Sequence, residues 1–165
     1  MIKNSKSGFS LVEVLTVLII MAIIFGLVYG MFTVVYIKLS NQAKLNNSIQ
    51  RVFYLFVSTR REAFLKDQVM CIKYENKKFS SFVDNNLDGV SDNGNEVIVE
   101  IPDQIDVYID NLIVNNINIY SRDGMFLKLS KGAFTFDYSN MEIKLQLNEE
   151  YKIMKVTNSL PEILE

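Results

Sequence analysis

Residues 7–30 of the chain read SGFSLVEVLTVLIIMAIIFGLVYG, and a single carboxylate, Glu13, interrupts this apolar run near its start. From Val14 to Ile37 there are 24 residues without a charge. A helix of that length spans about 36 Å, which exceeds the roughly 30 Å hydrocarbon core of a bilayer. The stretch therefore predicts a transmembrane helix. Lys3 and Lys6 precede it, which favours a cytoplasmic amino terminus with the rest of the chain outside.

A cleaved secretory signal is the alternative interpretation of this stretch. Such a signal has a shorter apolar core, followed by a cleavage site of small residues. Here the apolar run is longer, and beyond Lys38 it continues as an amphipathic helical pattern. The sequence therefore favours a helix that stays attached to the chain.

The composition excludes several kinds of chemistry. The chain has 165 residues and no histidine, which excludes Ser-His and Cys-His catalysis and removes the commonest zinc ligand. Cys71 is the only cysteine, so an internal disulfide and a multi-cysteine metal site are excluded, and its apolar surroundings predict a small buried side chain. With no phosphate-binding loop or serine elbow in the sequence, we predict that the protein is not an enzyme.

Glu13 needs an explanation because a carboxylate in a membrane helix usually has a polar partner or is protonated. The apolar run itself suggests no such partner in cis. One explanation is a cut between Gly8 and Phe9, which would give Phe9 a free α-amine that pairs with Glu13 of a neighbouring copy. The other is a protonated or hydrated carboxylate near the cytoplasmic interface. The chemistry alone leaves both open.

The order of these features resembles a known signal. A basic leader, the residues GFSLVE at 8–13 and an uninterrupted apolar helix are similar to the class III signal of type IV pilins and type II secretion pseudopilins. The resemblance implies that a prepilin peptidase removes residues 1–8, cutting after Gly8. It implies that the same enzyme methylates Phe9, and that Glu13, fifth in the mature chain, assists subunit assembly.

The resemblance also implies partners and a location. The partners would be other pilins or pseudopilins in a filament, the prepilin peptidase and an inner-membrane assembly platform. The chain would cross the inner or cytoplasmic membrane once, with its head periplasmic or otherwise extracytoplasmic. Leader, helix and head are common to type II secretion, type IV pilus and competence machineries, so these three alternatives stay open.

The rest of the chain predicts an α+β fold. Residues 9–37 would form the transmembrane half of one long helix and residues 38–66 its amphipathic half, which packs on an antiparallel β-sheet or sandwich formed by residues 69–165. The apolar stripe of the second half comprises Ile49, Val52, Phe53, Phe56, Ala63 and Phe64, interrupted by Arg60. The predicted strands are Val69–Tyr74, Phe79–Val83, Glu96–Ile101, Ile105–Ile109, Leu112–Tyr120, Met125–Leu129, Ala133–Tyr138, Met141–Leu147 and Tyr151–Val156.

An aspartate-rich loop separates the second and third predicted strands. Its oxygen-bearing side chains are spaced as in an EF-hand, although Glu96 falls one position after the expected bidentate glutamate. The flanking strands argue against an EF-hand, which leaves two alternatives: a structural Ca²⁺ site on a β scaffold, or a polar turn that satisfies its own backbone. The candidate calcium ligands are Asp84, Asn86, Asp88, Asp92 and Glu96.

The same loop, with the Phe126–Gly132 run, is similar to the H-type pseudopilin and FimT-like minor pilin group. This resemblance implies a minor subunit that primes or caps a filament. Some members contact DNA, so a DNA-binding minor pilin for DNA uptake is the alternative function. Without Lys3 and Lys6 the chain keeps 15 basic residues against 19 acidic, which makes nucleic acid an unfavoured partner. The basic residues that could still converge are Arg122, Lys128, Lys131, Lys152 and Lys155.

Overall fold

The computed structural model describes residues 10–130, 133–135, 141–157 and 161–164. Within them, one helix, α1 (Leu11–Lys66), precedes eleven β-strands. The chain separates into two compact units, Met1–Ser40 and Asn41–Glu165, and α1 contributes to both. The second unit is called the head below. The predicted α+β class, a single long amino-terminal helix with antiparallel sheets packed on it, is confirmed.

The strands form two antiparallel sheets. In the first sheet the order is β3-β2-β1-β6-β7-β8, and in the second it is β11-β10-β9-β4-β5. The strands are β1 (Met70–Glu75), β2 (Lys78–Val83), β3 (Val97–Glu100), β4 (Asp106–Ile109), β5 (Leu112–Ile113), β6 (Asn116–Arg122), β7 (Met125–Ser130), β8 (Ala133–Thr135), β9 (Met141–Leu147), β10 (Glu150–Val156) and β11 (Glu162–Leu164).

Three hairpins are closed by two-residue turns with positive φ at both positions. The turns connect β1 to β2, β4 to β5 and β6 to β7. Such turns match the twist of the flanking strands and favour Asn, Asp and Gly, which tolerate the left-handed region best. The turn residues are Asn76 and Lys77, Asp110 and Asn111, and Asp123 and Gly124.

One core joins the helix to both sheets in the head. Val52 and Phe56 of α1 are fully buried, and they belong to the same apolar cluster as Ile72 of the first sheet and Ile143 and Leu145 of the second. Along β9, buried and half-buried residues alternate, as the sequence pattern predicts for a strand with one face on the core. Burial of these aliphatic and aromatic side chains is what anchors the sheets to the helix.

The predicted helix stripe is wrong at its last position. Phe64 is 68% exposed, whereas its neighbour Ala63 is buried. At 3.6 residues per turn, Phe64 lies about 80° around the helix from Phe56, so it leaves the core face that Ala63 continues. It instead lies beside Gly124 in the turn between β6 and β7.

One predicted strand differs from the structure, and one observed strand was not predicted. Leu112–Tyr120 is not one strand, because β5 belongs to the second sheet and β6 to the first, so the chain changes sheets between Ile113 and Asn116. Glu162–Leu164 was not predicted as a strand. It pairs with β10 over three residues, a length too short for an alternating pattern to identify. Residues 136–138 of the predicted strand Ala133–Tyr138 lie outside the described residues.

Candidate functional site

The start of α1 is held by a reciprocal pair of side-chain caps. The backbone N–H of Ser10 donates to Oε2 of Glu13 at 2.9 Å, and the backbone N–H of Val12 donates to Oγ of Ser10 at 3.3 Å. This is a capping-box arrangement, in which a serine and a glutamate three residues later satisfy amides that have no partner within the helix. The negative charge of Glu13 also lies in the first turn, where the helix dipole favours it.

This geometry corrects the expectation that Glu13 has no polar partner in cis. Its partner is the backbone N–H of Ser10. The expectation considered only side chains as partners, and those of the apolar run offer none. The spacing Ser-x-x-Glu before an apolar run was the signal that could have identified it. Gly8 and Phe9 lie outside the described residues, so cleavage after Gly8 and methylation of Phe9 stay predictions.

The first half of α1 is apolar on every side. The helix is long and apolar enough to cross a membrane, and none of its most apolar stretch is buried by the protein. Its hydroxyl groups bond within the helix: Oγ1 of Thr16 donates to the carbonyl of Val12 at 2.7 Å, and Oγ1 of Thr33 is 2.9 Å from the carbonyl of Tyr29. A lipid-exposed helix needs its polar groups satisfied in this way.

The two glycines of this half leave open space on the helix surface. A Cβ built on Gly26 or Gly30 would meet no other atom within 4 Å outside the local backbone. The helix continues through both positions without interruption. A small-xxx-small spacing of this kind allows the close approach of another helix.

In the head, the aspartate-rich loop connects β2 to β3 and is organised around Asp84. This side chain is fully buried, and its two carboxylate oxygens accept the backbone N–H groups of Asp88 at 3.1 Å and Gly89 at 2.8 Å. The backbone N–H of Asp84 donates to the carbonyl of Val69 at 2.9 Å. Asp84 therefore ties the loop to the start of β1.

The other acidic side chains of the loop also bond to the backbone. Oδ1 of Asp88 accepts the N–H of Val90 at 2.8 Å, and Oδ2 of Asp92 accepts the N–H of Asn85 at 2.7 Å. The amide of Asn86 donates to the second carboxylate oxygen of Asp88 at 3.0 Å. These are the local side-chain contacts that shape Asx turns.

The five predicted calcium ligands are only partly brought together. Asp84, Asn86, Asp88 and Asp92 share the hydrogen-bonded loop, whereas Glu96 is exposed at the entry to β3. Across the part of the chain that the structure describes, no three acidic, cysteine or histidine side chains are grouped closely enough to hold a metal ion. The calcium site stays a prediction.

Cys71 is buried beneath this loop, in a small cluster with Phe82, Tyr120 and Leu127 on the side of the first sheet away from the main core. Burial, and then the charge of Asp84, raise the pKa of the Cys71 thiol to about 12. Burial likewise raises the pKa of Tyr120 to about 12, with further contributions from Cys71 and Asp84. Such a thiol is protonated at neutral pH and behaves as an apolar side chain, not as a nucleophile.

The described basic residues that were considered for DNA are distributed over both sheets of the head. Arg122 ends β6 in the first sheet, whereas Lys152 and Lys155 lie in β10 of the second. Lys152 and Lys155 are three positions apart, so they lie on opposite faces of that strand, and Lys155 forms an ion pair with Glu142 at 3.2 Å. Lys131 lies outside the described residues.

Comparison with known proteins identifies the amino-terminal region. No curated protein and no solved structure matches the chain. Residues 3–29 match the family described as the prokaryotic N-terminal methylation motif. This type IV pilin-like motif indicates a structural subunit and implies membrane association and assembly with other pilins in a filament. The chain therefore carries, from its basic leader into its apolar helix, a type IV pilin-like N-terminal methylation motif.

Proposed function

We propose that the protein is a minor pseudopilin or minor pilin, a structural subunit that primes or caps a type II secretion pseudopilus or a type IV pilus-like filament. The observation that carries the proposal is the methylation motif at residues 3–29, which coincides with a helix whose first half is apolar on every side. In this proposal the amino terminus is cytoplasmic, the helix crosses the membrane once, and the head is extracytoplasmic.

The surface of the first half of α1 supports assembly through helix packing. Large side chains such as Leu15, Phe25 and Phe32 are 59%, 67% and 68% exposed. In a membrane these side chains contact lipid, and in a filament they would pack on helices of neighbouring subunits instead. Gly26 and Gly30 provide places for close approach.

The carboxylate of Glu13 has the capacity to serve two partners. It is exposed, and one oxygen accepts the Ser10 amide. An ionised carboxylate has about four acceptor positions on two oxygens, so the cap leaves room for a further donor. Cleavage after Gly8 would create that donor, the α-amine of Phe9 of a neighbouring subunit. Assembly would then neutralise two charges that are costly in lipid.

Assignment to the H-type pseudopilin and FimT-like minor pilin group is a finer proposal. It is supported by the loop residues that connect β2 to β3 and by a head of two antiparallel sheets packed on the helix. The same features would make the protein a minor subunit at or near a filament tip.

Processing by a prepilin peptidase tests the proposed function. We would co-express the full chain with a prepilin peptidase and measure the intact mass of the purified protein. The expected product lacks residues 1–8 and carries one added methyl group. A Gly8→Val variant is the matched control and should keep its full length. An unchanged mass of the wild-type chain, with a peptidase that cuts a known pilin in parallel, would contradict the proposal.

A further inference from the structure

The loop between β2 and β3 contains the only Asn-Gly step of the chain, Asn93-Gly94. An asparagine that precedes glycine loses its side-chain amide more readily than other asparagines, because glycine has no side chain to hinder attack by its own backbone nitrogen. Asn93, Gly94 and Asn95 are all exposed, so water reaches this step. Sequence and exposure together make it a candidate for covalent modification.

The side chain of Asn93 is folded back along its own backbone. Its Oδ1 accepts the backbone N–H of Asn95 at 3.0 Å and the hydroxyl of Ser91 at 3.3 Å. The first of these bonds defines an Asx turn, in which the side chain curls towards the residue two positions later in the chain. This conformation places Cγ of Asn93 on the side of the Gly94 nitrogen, the atom with which it would close a five-membered ring.

The same two bonds prepare the side-chain carbonyl of Asn93 for attack. A backbone N–H only donates, so the Asn93 atom that faces the Asn95 amide is the oxygen and not the amide nitrogen. Two donors on this oxygen polarise the carbonyl and stabilise the negative charge that develops when a nucleophile adds to Cγ, as in an oxyanion hole. The leaving group, Nδ2, has no hydrogen-bond partner among the described residues.

The attacking nitrogen, that of Gly94, is also available. No described residue accepts a hydrogen bond from its N–H, and a Cβ built on Gly94 would meet no atom within 4 Å beyond its chain neighbours. The Asp88-Gly89 step of the same loop differs, because the N–H of Gly89 donates to the buried carboxylate of Asp84 at 2.8 Å. Such a bond hinders a nitrogen that must lose its proton in order to attack. The loop therefore protects the step at Gly89 and leaves the step at Gly94 open.

We propose that Asn93 is a site of spontaneous deamidation through a cyclic imide formed with Gly94. The Gly94 nitrogen forms a bond to Cγ of Asn93 and gives its proton, through water, to the departing amide, and the Cγ–Nδ2 bond breaks to release ammonia. Water then opens the imide on either side. Opening at Cγ leaves aspartate at position 93, and opening at the main-chain carbonyl leaves isoaspartate, whose side-chain carbonyl then continues the backbone.

Either product adds a negative charge to the loop. Asn93 lines a hollow of about 290 Å³ whose other charged residues are Glu62, Lys66 and Glu96. Glu62 is already paired with Lys66 at 3.1 Å, so the new carboxylate would raise the excess of negative charge in this hollow from one to two. Isoaspartate would also add one carbon to the backbone just before β3. The loop would therefore change in charge and in length as the protein ages.

The test incubates the full chain in detergent micelles at mildly alkaline pH and follows it by peptide mapping with mass spectrometry. The peptide that contains Asn93 should gain the mass difference between a hydroxyl and an amino group, and it should separate into aspartate and isoaspartate forms. A synthetic peptide with the sequence of residues 90–96 is the reference without a fold. Because the folded loop polarises the carbonyl and leaves the Gly94 nitrogen free, its rate should equal or exceed that of the reference.

Two variants separate the reacting group from the residue that positions it. Asn93→Gln keeps an amide but would have to close a six-membered ring, and it should lose ammonia at least about tenfold more slowly. Ser91→Ala removes one donor to the carbonyl and should slow the reaction about threefold, the effect of one neutral hydrogen bond. The same Ser91→Ala change in the reference peptide should have no effect, because an unfolded peptide does not hold the hydroxyl at that oxygen.

Three results would overturn the proposal. The first is an unchanged mass of the peptide that contains Asn93, and the second is a rate in the folded chain more than about tenfold below that of the reference peptide. The third is a rate that Ser91→Ala leaves unchanged in the folded chain, which would remove the role assigned to the loop. Processing of residues 1–8 does not involve Asn93, so this proposal and the proposed function fail independently.

Discussion

The amide of Ser10 donates to the carboxylate of Glu13 across a distance of 2.9 Å, so the one charge in the apolar part of the helix also caps its first turn. Two roles are therefore combined in Glu13: a local one that depends on Ser10, and a proposed intersubunit one that depends on the amine of Phe9. Ser10→Ala keeps the Glu13 carboxylate and the backbone amide bonded to it, and it weakens the helix start only through the bond from the Val12 amide, so it controls for the stability of the first turn.

Glu13→Ala should leave membrane insertion intact and impair filament assembly. The substitution removes a charge from a membrane segment, which makes insertion easier, but it also removes the proposed partner of the Phe9 amine. In cells that carry the assembly machinery, we expect the variant at wild-type levels in the membrane fraction and at least about tenfold depleted in sheared filaments, as for loss of a charge pair in a low-dielectric site.

Ser10→Ala is the matched control. It removes the hydroxyl that accepts the Val12 amide, which should cost about 1 kcal/mol at the helix start and speed hydrogen exchange there. Its incorporation into filaments should remain near that of the wild type. Normal incorporation of Glu13→Ala, or an equal defect in both variants, would contradict an intersubunit role for Glu13.

Phe56→Ala and Phe64→Ala should differ widely in stability although both residues belong to the same predicted stripe. Phe56 is fully buried against Phe79 and Phe126, so its truncation should lower the free energy of unfolding by about 3–5 kcal/mol. Phe64 is exposed, and its truncation should change the free energy by less than about 0.5 kcal/mol. Urea denaturation of both variants in the same detergent measures the difference; similar values would contradict the observed orientation of the helix.

This pair shows how far the sequence determines the fold. The period of α1 identifies the core face because Val52, Phe56 and Ala63 all recur on it, and all three are buried. The sequence does not determine where the stripe ends. Phe64 lies close enough to the core face that the helical spacing of apolar residues includes it as well. Whether it is buried depends on the turn at Gly124, a contact 60 residues away along the chain.

For the candidate site, too, the sequence identifies some of the functional residues and leaves the roles of others open. Gly8, Phe9 and Glu13 could be singled out because leader, glutamate and helix occur in a fixed order. The roles of the loop residues could not be predicted, because Asp84 has the same spacing whether it binds a cation or the amides of Asp88 and Gly89. Only the fold shows that its carboxylate is buried and bonded to the backbone.

The buried carboxylate of Asp84 should contribute more to stability than the other acidic groups of its loop. Asp84→Ala removes the acceptor of the Gly89 amide and the shorter of the two bonds that the Asp88 amide makes, the other being to Oδ1 of Asn86 at 3.3 Å, and we expect a loss of about 2–4 kcal/mol in the free energy of unfolding. Asp92→Ala removes one bond at the exposed side of the loop and should cost about 1 kcal/mol. Equal losses in calcium-free buffer would contradict the structural role of Asp84.

Calcium itself provides the test of the predicted metal site. If the loop binds Ca²⁺, millimolar calcium should raise the melting temperature of the full chain, because a ligand that binds only the native state stabilises it. Asp88→Ala should abolish that increase, and magnesium serves as the control for ionic strength. A melting temperature that calcium does not change would contradict the metal site and leave the hydrogen-bonded turn as the role of the loop.

The stability of the head should fall in alkaline solution because of Cys71. Its pKa is raised from 9.0 to about 12 in the folded protein, so between these values the unfolded chain binds fewer protons than the folded one. The stabilisation is therefore complete below about pH 9 and is lost as the pH rises towards 12, at up to about 1.4 kcal/mol per pH unit. Tyr120 acts in the same direction above its ordinary value of 10.0.

Cys71→Ala should flatten this pH dependence. Urea denaturation of the full chain near pH 8.5 and pH 10.5 should give a smaller loss of stability for the variant than for the wild type. At pH 8.5 the substitution creates only a small cavity beside Phe82 and Leu127, which should lower the free energy of unfolding by about 1–2 kcal/mol. That cost is the same at both pH values, so it cancels from the comparison. An unchanged slope would mean that Cys71 loses its proton as readily in the folded head as in the unfolded chain.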